Sequence, residues 1–280
     1  MVAEKEYLIH QLLPHFEFNE YGCYEVRFCL DGAWSSTLID SFLPSIPSEQ
    51  IVSRAHNKRK DDHGIVTSDS GIVFKPAFAS GTVFWPAFIE KAYAKIHGSY
   101  ARLSGGFISE ALYDLTGAPI ERIYFHREYD ADELLARLLS FTSSGFLMGI
   151  ATNRGGDGLV PCHAYSLLGV YEVHDVIEGV QGKVTQYFNN QTSFDQNSMD
   201  NKKERKTVRL VCIRNPWGTK EWKGSWGINS EKWTRKIRQQ IGEKFLKQGN
   251  GTFFMSFEDM IERFDHLDVA KCQEVRNHLR

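Results

Sequence analysis

Three apolar stretches in the second half of the chain, Phe146 to Thr152, His163 to Val173 and Thr207 to Arg214, follow one another with no helical repeat between them. Parallel strands need a crossover of a dozen or more residues, usually a helix, so this order predicts an antiparallel sheet. The polar stretch between the second and third, with Asn189, Asn190 and the charge run Lys202 to Lys206, reads as a loop insertion. A further strand is expected over Thr252 to Ser256. Near the start, Tyr21 to Leu30 alternates apolar and polar residues, and Gly32 precedes Trp34 and another apolar stretch, the pattern of paired strands.

Helices are expected between these strands. Trp85, Phe88, Ile89, Ala92 and Ile96 recur at helical spacing, with Pro86 near the start and Gly98 just past the end. Ile108, Ala111, Leu112 and Leu115 repeat the pattern up to Gly117, and Asp130 or Asp132 can cap a third helix carrying Leu134, Leu135, Leu138 and Leu139. Trp233, Ile237, Ile241 and Phe245 mark another, and Ser256 with Asp259 forms a capping box for a short last helix. The stretch from Ser45 to Gly71 shows neither period, which predicts an exposed insertion. The fold class is α+β.

Charge and cysteine usage exclude several function classes. Lys and Arg number 33 against 35 Asp and Glu, so no net positive field draws this chain to nucleic acid or an anionic membrane. No apolar run reaches the roughly 18–20 residues that span a bilayer, and the charged start has no signal-peptide core, which predicts a cytoplasmic protein. The five cysteines, Cys23, Cys29, Cys162, Cys212 and Cys272, fit neither a disulfide framework nor metal-ligand spacing.

Two places carry chemistry. Alternation along a strand puts His163, Tyr165 and Leu167 on one face and Cys162, Ala164 and Ser166 on the other, so Cys162 is turned away from the imidazole and is expected to pack. Asn215-Pro216-Trp217-Gly218 closes the next strand. If the two strands pair, Asn215 can face His163, accept from one ring nitrogen and aim the other at a thiol, with Trp217 screening that bond from water. The same four residues also read as a plain turn anchored by a buried Trp.

Four segments in one order then carry a family likeness: Phe88 to Gly106 (FIEKAYAKIHGSYARLSGG), Gly158 to Ser166 (GLVPCHAYS), Ile213 to Trp226 (IRNPWGTKEWKGSW) and Phe254 to Asp259 (FMSFED). Together they resemble the calpain cysteine protease core. The resemblance implies a papain-like α+β fold, mainly its antiparallel sheet or barrel half, the second protease subdomain, with flanking helices. It implies a partial catalytic domain over residues 1–272, with insertions at about 45–71 and 179–206 and a tail at 273–280. By this likeness His163 matches the general base, Asn215 the residue that orients it, and Trp217 the shielding indole.

The nucleophile of that family sits in a Gly-x-Cys-aromatic segment at a helix N-terminus, where the dipole lowers a thiol pKa. The likeness places that segment upstream of Tyr7. Gly22-Cys23-Tyr24 copies it superficially, but Gly22 to Trp34 aligns with a family strand, so Cys23 is a strand residue. A glycine commonly stands where this chain has Cys162. The family also implies Ca²⁺, a hard cation that takes six to eight oxygens. Glu221 matches one acidic ligand, whereas Ile228, Asn250 and Thr252 stand at other acidic positions, leaving a degenerate site at Glu221 and Asn250.

The expected function is therefore that of a calpain-like intracellular cysteine endopeptidase acting on extended polypeptides. Without its Cys-bearing half the isolated chain is expected to be inactive and to depend on that half or another chain. The alternative is a non-catalytic pseudoprotease or peptide-binding scaffold.

Overall fold

The structure, a computed structural model, describes residues 2, 5–15, 17, 20–43, 45–47, 66–67, 72–74, 84–125, 130–174, 207–242 and 250–272. The insertion expected at 179–206, the tail at 273–280 and the position of Phe245 lie outside the described residues. The chain divides into two compact units, Val2–Ala118 and Pro119–Arg280.

In the first unit, helix α1 (Glu6–Leu12) leads to a two-stranded antiparallel ribbon, β1 (Cys23–Leu30) and β2 (Ala33–Asp40). Asp31 and Gly32 form the whole connection, and both have positive φ, 50° and 83°. A two-residue loop of that handedness matches the right-handed twist of paired strands, and Asp-Gly is the sequence that adopts it with least strain. Tyr24, Val26 and Phe28 alternate into a core with Leu12, Leu13, Ile39 and Ala92.

Helix α2 (Trp85–Ile96), a 3₁₀ turn (Tyr100–Ser104) and helix α3 (Ile108–Thr116) complete this core. The start and end of α2 follow Pro86 and Gly98 as the sequence predicts, and Gly117, at φ 63°, closes α3 by donating to Tyr113 O at 2.7 Å. Three short strands, β3 (Ser45–Pro47), β4 (Val66–Thr67) and β5 (Ile72–Phe74), pair antiparallel in the order β3-β5-β4. Two of them fall inside the stretch that shows neither period and reads as an insertion: pieces of two or three residues are too short to display a period.

The second unit is built on a six-stranded sheet. Its strands are β6 (Ile120–Tyr124), β7 (Leu147–Thr152), β8 (His163–His174), β9 (Thr207–Arg214), β10 (Thr252–Ser256) and β11 (His266–Ala270). The order is β10-β9-β8-β7-β11-β6 and every neighbouring pair is antiparallel. The antiparallel sheet is thus as expected, with one addition. Helix α4 (Ala131–Ser143) connects β6 to β7, two strands that run the same way with β11 inserted between them. Asp130 caps α4 by accepting from the Asp132 and Glu133 amides.

Helix α4 covers one face of the sheet, where Leu134, Leu135 and Leu138 meet Met148, Ile150, Tyr165, Leu167 and Ile213. On the other face Trp226, Trp233 and helix α5 (Arg235–Ile241) cover Leu210, Cys212 and Phe254. Trp233 precedes α5: Thr234 caps the helix by accepting from the Ile237 amide, so the indole stands outside the element that the sequence assigns to it. Ser256 caps helix α6 (Phe257–Arg263) as its motif predicts. Among the described residues no helix is long and apolar enough to cross a membrane.

Candidate functional site

Because β8 and β9 are antiparallel, the start of β8 and the end of β9 lie at the same end of the sheet. Leu167 pairs with Ile213, and Tyr165, Leu167, Val211 and Ile213 all point into the core under α4. Continuing that alternation one step outward puts His163 and Asn215 on the same face, as diagonal cross-strand neighbours. There Asn215 Oδ1 faces His163 Nε2 at 3.0 Å. The sequence expectation that these two residues meet is met by the geometry.

Asn215 is completely buried, and every polar position of its amide is used. The nitrogen donates to Thr219 O at 2.7 Å and to Lys220 O at 3.2 Å, which leaves only the oxygen to face the ring. An amide oxygen only accepts, so His163 donates from Nε2, and in the neutral ring this leaves the lone pair on Nδ1. The same oxygen accepts the Trp217 amide at 3.0 Å, and the Asn215 carbonyl accepts from Gly218 N at 3.0 Å. Asn at the first position, Pro at the second and Gly at the fourth is the composition such a turn favours, because the Asn side chain bonds its own backbone and Pro216 presets φ.

Trp217 covers the imidazole, with ring centroids 4.4 Å apart, and is 44% exposed. It is not the buried anchor of a plain turn. The Lys220 ammonium lies 5.2 Å from the same indole, a cation–π contact that local sequence reading did not find. His163 also meets Tyr165 nearly perpendicularly, with ring centroids 4.9 Å apart. Tyr165 is buried, which raises its phenol pKa, and its oxygen accepts the Val160 amide at 2.7 Å. That bond ties the loop before β8 to the strand that carries the histidine.

Cys162 departs from its expected packing role. It precedes the strand, is exposed, and has φ 49°, a left-handed conformation that suits glycine. Strand alternation does not apply to it because His163 is the first residue of β8. Cys23 lies on β1, paired with Asp40, as a strand residue. Cys29, Cys212 and Cys272 are buried, and burial pushes the Cys212 thiol up to about 12.

The residues implied for calcium do not fit that ion. Glu221 Oε1 accepts the Gly251 amide at 3.1 Å, and Asn250 Oδ1 accepts the Thr252 amide at 2.9 Å. Ile228 offers no side-chain oxygen, so the set holds one carboxylate where a hard cation requires six to eight oxygens. Among the described residues no group of three or more His, Cys, Asp or Glu side chains is placed to hold a metal. The contact between Glu221 and Gly251 had no sequence signal, since it joins two loops thirty positions apart.

An α+β unit with an antiparallel sheet, and a histidine held by a buried asparagine at the ends of two neighbouring strands, matches the architecture of the papain-like proteases. Residues 1–271 match the model of the calpain family cysteine proteases, and the chain belongs to that family. It is 32% identical over 271 residues to calpain-type cysteine protease ADL1 of Oryza sativa subsp. japonica, covering 91% of this chain and 10% of that protein. It is equally identical, over the same shares, to calpain-type cysteine protease DEK1 of Arabidopsis thaliana. With the calpain-1 catalytic subunit of Sus scrofa it shares 28% identity over 289 residues, covering 96% of this chain and 33% of the relative. The chain thus spans between a tenth and a third of the length of these relatives.

Proposed function

We propose that this chain carries the base half of a calpain-type cysteine endopeptidase. His163 is the general base, Asn215 orients it, and Trp217 shields the bond between them. The observation that carries the reading is the 3.0 Å contact from His163 Nε2 to an asparagine whose amide has no other orientation open to it. With Nε2–H held by Asn215, the Nδ1 lone pair takes the proton of a thiol. The thiolate then attacks a peptide carbonyl carbon, the imidazolium gives its proton to the departing amine as the C–N bond breaks, and a thioester remains. Water deprotonated by His163 attacks the thioester carbonyl, the C–S bond breaks to release the carboxylic acid, and the imidazolium returns its proton to the thiolate.

The nucleophile is none of the five cysteines here. Three are buried, Cys23 belongs to a paired strand, and Cys162 is the backbone neighbour of the base. The thiol comes from residues outside this sequence, on the same polypeptide or on another chain, and the substrate is an extended polypeptide in the cytoplasm. The 280-residue chain by itself is inactive in this reading. The alternative of a peptide-binding pseudoprotease draws on Cys162, which stands in a glycine conformation next to the base.

Thiol-dependent hydrolysis of a fluorogenic peptide, assayed with the 280-residue chain and with the longest natural polypeptide containing it, tests both readings. Activity in the longer polypeptide that His163→Ala abolishes is expected. Turnover that survives this change overturns the role of His163, and hydrolysis by the 280-residue chain alone overturns the assignment of the nucleophile. No turnover in the longer polypeptide, together with saturable binding of an uncleaved peptide, leaves the pseudoprotease.

A further inference from the structure

We infer that Glu221 is a positioning residue for the His163–Asn215 pair and that it acts through a hydrogen bond rather than a bound cation; this rests on the role proposed for that pair. Glu221 Oε1 accepts the Gly251 amide at 3.1 Å, Gly251 O accepts the Asn215 amide at 2.9 Å, and Asn215 Oδ1 faces His163 Nε2 at 3.0 Å. The path from carboxylate to imidazole is therefore three hydrogen bonds and two residues long.

The backbone beside Glu221 meets the same asparagine from a second direction, since the carbonyl of Lys220 accepts from Asn215 Nδ2 at 3.2 Å. The loop from Asn215 to Glu221 thus closes on both ends of Asn215, through Lys220 O on the side chain and through Gly251 on the backbone. The fit at Gly251 is tight. Gly251 is buried with φ 74°, and a side-chain carbon there would stand 2.5 Å from Asn215 O and 2.9 Å from Gly218 Cα. The carbonyl of Glu221 in turn lies against Gly158, with no space for a side-chain carbon.

A carboxylate accepting a backbone N–H makes a charge-assisted bond, stronger than a neutral one, so this single contact can lock two loops. In a calcium-linked site the cation would supply the positive partner of the carboxylate. Here the Gly251 N–H supplies it, Asn250 Oδ1 is bonded to Thr252 N, position 228 is Ile, and Thr252 brings no charge. The latch is complete within the chain.

Hydrogen–deuterium exchange and ¹⁵N imidazole spectra of the 280-residue chain test this in wild type, Glu221→Ala, Glu221→Asp and Glu221→Gln, each with millimolar Ca²⁺ and with chelator. Glu221→Ala is expected to speed exchange of the Gly251 and Asn215 amides about tenfold or more, the loss of one hydrogen bond to a charged group. It should also move the His163 ring nitrogens away from a pure Nε2–H tautomer, an effect that simple destabilisation does not produce. Glu221→Asp, one carbon too short, is expected to follow Ala, and Glu221→Gln, which keeps the acceptor and loses only the charge assistance, to stay closer to wild type than to Ala. Ca²⁺ should change none of these.

Wild-type spectra and exchange in both Ala and Asp variants, or a Gln variant that behaves like Ala, overturn the latch. Protection of Gly251 or a shift of His163 on adding Ca²⁺ overturns its independence of a cation. If Glu221→Ala fails to fold, the Asp and Gln variants still decide. None of these readouts requires turnover, so they separate failure of the latch from failure of the proposed peptidase chemistry.

Discussion

Asn215 holds His163 by its carbonyl oxygen, 3.0 Å from Nε2, because both of its amide hydrogens are already given to the carbonyls of Thr219 and Lys220. The pair is therefore preset in the folded chain, with the orientation of the ring and the direction of Nδ1 decided by backbone atoms of the following loop. This is the kind of support a catalytic base requires, since a side chain is only as well placed as the groups that hold it.

Removing that amide should be costly. Asn215→Ala leaves the His163 and Trp217 N–H groups and two carbonyls to find new partners around a fully buried position. Each buried polar group left unsatisfied costs about 1–3 kcal/mol, and partial rehydration recovers some of it, so a loss of about 3 kcal/mol in urea unfolding of the second unit is expected. A loss below about 1 kcal/mol would show that the network carries little energy.

The His163–Asn215 meeting could be read from sequence because strand alternation is a strict two-residue period: once two strands are placed, parity decides which side chains share a face. Capping residues were equally readable, since Ser256 and Asp130 act within three residues of themselves. What stayed hidden has physical causes. The strands β6 and β11 carry Arg122 and Asp268, charges that look like loop in sequence, and only the cross-strand register lets Arg122 neutralise the fully buried Asp268, at 2.6 and 2.8 Å. Helix α1 has two turns and buries only Leu8 and Leu12, too few residues for a period and too short to be stable outside its tertiary contacts. The positive φ of Cys162 has no signature in the residue itself.

That φ leads to a second prediction. A non-glycine residue in the left-handed region is strained by about 1–2 kcal/mol, of which glycine recovers part while adding freedom to the unfolded chain. Cys162→Gly should therefore stabilise the second unit by about 1 kcal/mol, because the exposed side chain has little packing to lose. A destabilised variant in denaturant titration would mean that the Cys162 side chain makes contacts worth more than the strain.

Asp114 sets a pH dependence in the first unit. Burial raises its carboxyl pKa, against the Tyr93 hydroxyl, which donates to it at 2.8 Å and lowers it, and His97, which also lowers it; Glu110 and Asp31 add to the rise. A carboxyl whose folded pKa lies above its unfolded value binds more protons folded than unfolded, so its contribution is greatest at low pH and is lost as pH rises through the folded value. Between the ordinary Asp range and that raised value, Asp114→Asn should flatten the fall in stability with pH. An unchanged slope in a series of unfolding curves would exclude Asp114 as its source.

The thiols provide the last test, and it bears on the proposed nucleophile. Alkylation requires thiolate and access, and the five cysteines differ in both. Cys23 and Cys162 are exposed, whereas Cys29, Cys212 and Cys272 are buried, and the Cys212 thiol is pushed up to about 12 by burial between the sheet and its covering tryptophans. Brief iodoacetamide treatment of the native 280-residue chain at mildly alkaline pH, followed by peptide mass mapping, should modify Cys23 and Cys162 and spare the other three until denaturant is added. Neither exposed thiol has the helix N-terminus that activates a nucleophile: Cys23 opens a strand and Cys162 precedes one. Neither should therefore be labelled in strong preference to the other, and His163→Ala should leave the labelling of both unchanged. Selective, fast labelling of Cys162 that His163→Ala abolishes would mean that the base activates its own neighbour, and the thiol would then have to be sought within this chain.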